Sequence, residues 1–161
     1  MPSIRTAISI GQSIDRVFEF VTTVSNFTKW HPSSWTGPSE HPLREGEHVT
    51  EELSVGGRHA RIKWIVRESS PPRRWVICGK SEDGGTATIT YTLKPESQGT
   101  RFKREFVYNM PVLFGALGDF LSLQSRLQAE SAESLRRLKR ILETDALKGC
   151  HEALIGGTAG T

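Results

Sequence analysis

One uninterrupted helical pattern, from Val112 to Glu143, constrains this 161-residue chain more than any other feature. It follows Met110-Pro111, and Pro111 cannot donate a ladder hydrogen bond, so a strand should end there. Leu113, Leu117, Phe120, Leu121, Leu127, Leu135, Leu138 and Leu142 recur at helical spacing with no proline among them. Such a helix is roughly 45 Å long at about 1.5 Å per residue, as long as a small domain is wide. Its stripe is leucine and phenylalanine near the ends, whereas inward positions in the middle include Gln124, Gln128 and Ser131. Two readings fit: an imperfect core helix, or a helix that packs at its ends and faces something other than packed side chains between them.

What precedes the helix is mostly period-two. Ile4, Ile8 and Ile10 mark a first strand over residues 3–10. Ser13 can cap a short helix from Ile14 whose apolar face is Val17, Phe18, Phe20 and Val21. Ser25 is expected to cap a second short helical turn, which His31-Pro32 stops. Residues 33–45 read as loop. Strands then alternate with turn signals. Val49, Glu51, Leu53 and Val55 share one face, as do Ala60, Ile62, Trp64 and Val66 after the Gly56-Gly57 hairpin. Trp75, Ile77 and Gly79 alternate with Val76, Cys78 and Lys80 in a strand apolar on both faces, with Trp75 inward, followed by Ala87, Ile89, Tyr91 and Leu93, with a turn expected over Pro95 to Gly99. The last strand, Thr100 to Asn109, turns Phe102, Arg104, Phe106 and Tyr108 inward.

The order is strand, two short helices, five hairpin-linked strands (six if the loop before Gly46 holds a short one) and one long helix. Segregated strands with helices at the ends give an α+β fold with an antiparallel sheet. One helix has to cover a long twisted sheet of six to seven strands, so the sheet must curl around it. Residues 1–146 are expected to form a single domain and residues 147–161, ending Gly-Gly-Thr-Ala-Gly-Thr, a flexible C-terminal tail. With 36% hydrophobic and 24% charged residues the composition suits a soluble globular protein. No apolar run is long enough to span a bilayer. The N-terminus has no signal-peptide pattern, and two distant cysteines, Cys78 and Cys150, build no disulfide framework, so a cytoplasmic location is expected.

Several residues carry the resemblance to a known family. Ser13 to Val21, followed by Ser25-Asn-Phe-Thr-Lys-Trp-His-Pro32, resembles the first helix and tryptophan-bearing turn of the helix-grip superfamily. That superfamily includes START domains, the major birch-pollen allergen and polyketide cyclase/dehydrase-like proteins (SRPBCC). Gly46-Glu-His-Val49 resembles its glycine-led second strand, and Gly99-Thr-Arg-Phe102 its last strand, before the long C-terminal helix. The resemblance spans roughly residues 4–143. It implies a helix-grip fold, a sheet gripping the long helix around a cavity. It does not choose among lipid transfer, polyketide cyclisation, quinone binding, hormone sensing and co-chaperone roles.

If the sheet grips the helix, the inward strand faces and the helix middle line one space. The candidate ligand-binding residues are Trp30, His31, Glu51, Trp64, Trp75, Tyr91, Arg104, Phe106, Tyr108, Leu117, Phe120 and Gln124. Arg104, among aromatics, needs a carboxylate, a ligand anion or solvent. An internal pair with Glu51, a guanidinium reaching the rim and a ligand contact all remain open. Trp30 and His31 sit beside the loop that would cap the cavity; packing and simple exposure compete with a site role. Trp64 and Trp75 read as wall.

No G-x-S-x-G elbow, metal-ligand spacing or phosphate loop is present, so neither metal nor cofactor is expected. Net charge is +3 and pI about 9.1. The cluster Arg136-Arg137-Lys139-Arg140 complements a helix C-terminus, which is the simpler account than a nucleic-acid patch. The leading expectation is a module binding a small hydrophobic molecule, aromatic, polyketide-like or lipid-like, as a monomer or homodimer. The alternative is a polyketide cyclase/dehydratase-type enzyme using Tyr91, Arg104 and His31 or Glu51 on a carbonyl. An RNA-, ribosome- or protein-interaction module is the third.

Overall fold

The structure, a computed structural model, describes residues 2–55, 58–109 and 120–156. Strand β1 (Ser3–Ile10) leads into helices α1 (Ile14–Thr22) and α2 (Val24–Trp30). Strands β2 (Ser34–Thr36), β3 (His48–Val55), β4 (Arg58–Ser70), β5 (Arg74–Ser81), β6 (Thr86–Glu96) and β7 (Gly99–Asn109) follow, and helix α3 (Phe120–Gly156) is the last described element. The seven strands form one antiparallel sheet in the order β1-β7-β6-β5-β4-β3-β2. The first strand is thus carried to the side of the last. The α+β helix-grip architecture expected from the sequence is the one observed.

Alternation decides which side chains enter the core. Val49, Ile62, Trp64, Val66, Trp75, Ile77, Ile89, Tyr91, Leu93, Phe102 and Tyr108 are all buried, as period two requires. A bulge at Arg67 shifts the β4–β5 register only after Val66, so it leaves the inward set of β4 intact. Gly79 lies opposite Trp64, and a Cβ there would stand 2.6 Å from the indole. The missing side chain is what lets Trp64 lie flat on β5. Gly99, at φ +152°, comes so close to the Ile10 carbonyl that a Cβ would clash at 2.0 Å. Next to it, Thr100 Oγ1 donates to the Gln12 carbonyl at 2.8 Å and fastens β7 to the turn after β1.

Several local expectations are corrected. Ser13 does cap α1, accepting from the Arg16 amide at 3.3 Å. The cap of α2 is Thr23 rather than Ser25: one extended residue joins the two helices, and its hydroxyl turns back to donate to the Glu19 carbonyl. Residues 34–36, expected to be loop, pair with β3, because Ser-Trp-Thr is just long enough to add an edge strand. Pro95 belongs to β6, opposite Thr100, and the turn shrinks to Ser97-Gln98.

Helix α3 packs against β1 and α2. Its buried leucines are Leu123, Leu135, Leu138 and Leu142. Leu121, assigned to the apolar stripe by spacing, is 77% exposed. Leu123, Leu127 and Ser131 define the inward line at steps of four, and Leu121 falls on the opposite side. The helix continues through the expected tail as far as Gly156. Leu113 and Leu117 lie outside the described residues, as does the side chain of Phe120.

Candidate functional site

Between the sheet and the middle of α3 lies a cavity of about 120 Å³. Its apolar wall is Ile4 of β1, Leu53 of β3, Ile62 and Trp64 of β4, Ile89 of β6, Phe106 of β7 and Leu127 of α3. Its polar members are Ser33, Glu51, Ser54, Arg104, Glu130, Ser131 and Ser134. A surface recess shares Pro32, Ser33, Leu53 and Ser54 with it, which puts solvent access beside the loop after α2 and the end of β3. The soft middle of the long helix therefore faces this space, through Leu127, Ser131 and Ser134 rather than through Gln128. The Gln128 side chain is exposed and its amide reaches the Arg5 carbonyl at 3.3 Å.

Two charged groups on strands organise the polar side. Glu51 is only 8% exposed. Its Oε1 accepts from Ser33 Oγ at 2.6 Å and its Oε2 from Trp64 Nε1 at 3.0 Å. Burial pushes its carboxyl above the ordinary value, against the opposing pull of those two donors and of the Arg104 charge. Arg104 donates through a guanidinium NH₂ group to Ser131 Oγ at 3.2 Å, and Ser131 Oγ also lies 2.9 Å from Thr6 Oγ1. Thr6 and Tyr91 flank Arg104 as its cross-strand partners on β1 and β6. The Nε of Arg104 is buried without a hydrogen-bond partner, and no carboxylate forms an ion pair with the guanidinium among the described residues. Glu51 and Arg104, left open as an internal pair, are therefore electrostatic neighbours without a salt bridge.

Behind the cavity wall sits an aromatic layer. His31 is 6% exposed and stacks obliquely on Trp30 with ring centroids 3.9 Å apart. Its Nε2 lies 3.4 Å from the Tyr91 hydroxyl. Burial, helped by the Arg104 charge, holds the imidazole well below its ordinary value, so it is neutral at pH 7. Burial also pushes the Tyr91 phenol up. Trp75 stacks on Tyr91 at 5.0 Å, and Phe106 on Tyr108 at 4.9 Å. One cation, Arg104, thus acts on three buried titratable groups: His31, Glu51 and Tyr91.

Of the residues singled out from sequence, Glu51, Trp64, Arg104 and Phe106 meet at the cavity. Trp30, His31, Trp75 and Tyr91 form the layer behind it, Tyr108 is buried against Phe106, and Gln124 is half-buried away from the cavity. Ser33, Ser134 and Glu130 were not anticipated. Ser134 is legible in hindsight, seven residues beyond Leu127 on one helix face. Ser33 lies in a loop, where no periodicity points inward.

Among the described residues no group of three or more histidine, cysteine, aspartate or glutamate side chains could hold a metal. No described helix is long and apolar enough to cross a membrane. The basic cluster at 136–140, expected to sit at a helix C-terminus, instead lies within α3, because the helix runs on to Gly156; there Arg136 and Arg137 share Glu133, and Lys139 pairs with Glu143.

Comparison with known proteins agrees with this architecture. Residues 1–143 match the family described as polyketide cyclase / dehydrase and lipid transport. Among curated proteins none matches the sequence significantly. Similar solved structures include the Bacillus halodurans protein BH1534, 18% identical over 88% of this chain and 97% of that one, with a TM-score of 0.66. The Chromobacterium violaceum protein CV1439 is 19% identical over 88% of this chain and 96% of its own, with a TM-score of 0.65. DynU16, from the dynemicin biosynthetic locus, is 20% identical with a TM-score of 0.62; the match spans 89% of this chain and 48% of that one. At these identities the likeness is one of fold. With a family match over nearly its whole length and a sheet curled on a long C-terminal helix, the chain belongs to the polyketide cyclase/dehydrase and lipid transport family of the SRPBCC superfamily.

Proposed function

We propose that the protein binds a small, mostly apolar molecule in the cavity between sheet and helix. The observation that carries this reading is an internal space walled by Ile62, Trp64, Ile89, Phe106 and Leu127, with Glu51 and Arg104 set into it. A few polar groups fixed in an apolar wall are how small-molecule sites combine affinity with orientation. Native mass spectrometry of freshly purified protein tests it: a co-purifying hydrophobic mass that organic extraction removes is the expected result. Protein that is always ligand-free, and whose Tm no aromatic or lipid-like compound raises, would overturn it.

A second reading, a cyclase- or dehydratase-type enzyme, is favoured by one feature. Glu51 has its proton affinity raised by burial and lines the same cavity as a cation able to polarise a carbonyl. Glu51 would move a proton at carbon next to a carbonyl held by Arg104. Under this reading Glu51→Gln abolishes turnover of a bound β-keto compound while leaving its affinity within a fewfold. The interaction-module reading draws little support, since three of the four basic residues in the cluster at 136–140 already have carboxylate partners.

A further inference from the structure

The cavity is small, and the one buried side-chain polar atom of its lining without a hydrogen-bond partner among the described residues is a donor. A cavity of about 150 Å³ lined by apolar residues holds a benzene molecule. At about 120 Å³ this one has room for roughly one ring and no polycyclic system. Ile62, Trp64, Ile89 and Phe106 supply the apolar wall for such a ring. Both oxygens of Glu51 already accept hydrogen bonds, from Ser33 and Trp64. Ser131 Oγ is engaged with Thr6 and Arg104. What is left over is a donor: the buried Nε of Arg104, on a guanidinium that has no ion-pair partner among the described residues. A cation at an apolar cavity without a counter-ion is a costly arrangement, and an anionic ligand oxygen relieves it.

We propose that the cavity takes a single-ring aromatic monoanion of the aryl carboxylate type, with its oxyanion on the Arg104 guanidinium and its ring against Trp64 and Phe106. This rests on the small-molecule-binding reading and narrows it to a size and a charge. Two other charged groups line the cavity. Glu130 lines the cavity from α3 but is itself exposed, so water screens it. Glu51 is buried, and its raised proton affinity lessens its repulsion of a second anion. His31 and Tyr91, behind the wall, are neutral.

Isothermal titration of the full chain with four probes tests the assignment: benzoate, its neutral isostere benzamide, toluene, and the three-ring 9-anthracenecarboxylate. Benzoate should bind at least tenfold more tightly than benzamide, and 9-anthracenecarboxylate should not bind. Arg104→Met should remove the preference for benzoate while leaving toluene binding within twofold, and Arg104→Lys should restore part of it. The toluene arm also reports whether the variants keep a folded cavity. Equal affinity for benzoate and benzamide, or an undiminished preference in Arg104→Met, overturns the charge assignment. Tighter binding of 9-anthracenecarboxylate than of benzoate overturns the size. In either case binding of toluene or of the three-ring acid leaves the general binding reading standing, whereas silence from all four probes removes this proposal and counts against that reading as well.

Discussion

The indole of Trp64 donates to the carboxylate of Glu51 at 3.0 Å, tying β4 to β3 at the wall of the cavity. The bond fixes both the tryptophan face and the acid, yet it does not offset the burial of Glu51, whose pKa is raised above 4.5. The sign of the consequence follows from linkage. A carboxyl with a raised folded pKa contributes most to stability below 4.5, and that contribution is lost as pH rises through the folded value. Glu51→Gln keeps an acceptor for Trp64 and a partner for Ser33 but cannot ionise. Its Tm should exceed that of the wild type at pH 7, and the advantage should vanish below pH 4.5 in thermal melts across that range.

His31 acts in the opposite direction. Unfolded, it takes up a proton near pH 6.5; folded, burial and Arg104 resist that proton. Its contribution is complete above pH 6.5 and declines as pH falls toward the folded value. His31→Gln should flatten the wild-type loss of stability just below pH 6.5, measured by urea denaturation in steps of half a pH unit. An unchanged slope would mean that the ring is accessible to solvent protons.

Leu138 is fully buried where α3 meets the sheet. Leu138→Ala should cost about 3 kcal/mol in chemical denaturation. Gln124→Ala should cost less than about 0.5 kcal/mol, because the half-buried amide has no core packing to lose.

Gly79→Ala tests whether the Trp64 platform depends on a missing side chain. The new methyl would meet the indole at 2.6 Å and Ile62 Cγ2 at 2.8 Å. Overpacking should cost roughly 1–3 kcal/mol and displace Trp64. Tryptophan emission read alongside denaturation separates that displacement from simple destabilisation.

Ser131→Ala removes the hydroxyl shared by Thr6 and Arg104 across the gap between sheet and helix. About 1 kcal/mol per lost hydrogen bond is expected. The same substitution frees a further donor on Arg104, so affinity for an anionic probe should hold or rise while stability falls.

The sheet was legible because alternation is a strict code while no bulge intervenes. From Val49 to Tyr108 the inward strand positions whose side chains are described face inward, Val55 lying outside them, and the Arg67 bulge falls harmlessly after Val66. The helix was less legible in phase: with leucines at 121, 123 and 127, spacing alone admits two faces, and contact with β1 selects the one through Leu123. Glu51 and Arg104 stood out as charges on apolar faces, a local contradiction that sequence displays openly. Ser33 did not, because its approach to Glu51 depends on the path of a loop. Nor was the setting of His31 and Tyr91 readable, sixty residues apart on a helix end and a strand.

The placement of β1 beside β7 has a consequence for how the chain is made. Residues 3–10 leave the ribosome before their ladder partners, residues 100–107, which follow roughly a hundred residues later. At elongation rates of about 5–20 residues per second, β1 waits roughly 5–20 seconds with its hydrogen-bonding edge unfilled. During that interval Ile4, Ile8 and Ile10 have no sheet to join. The nascent strand is then a sticky, unpaired ribbon that invites chaperone capture or a wrong strand partner, and between Ile4 and Ile8 only Arg5 and Thr6 interrupt it with polar side chains.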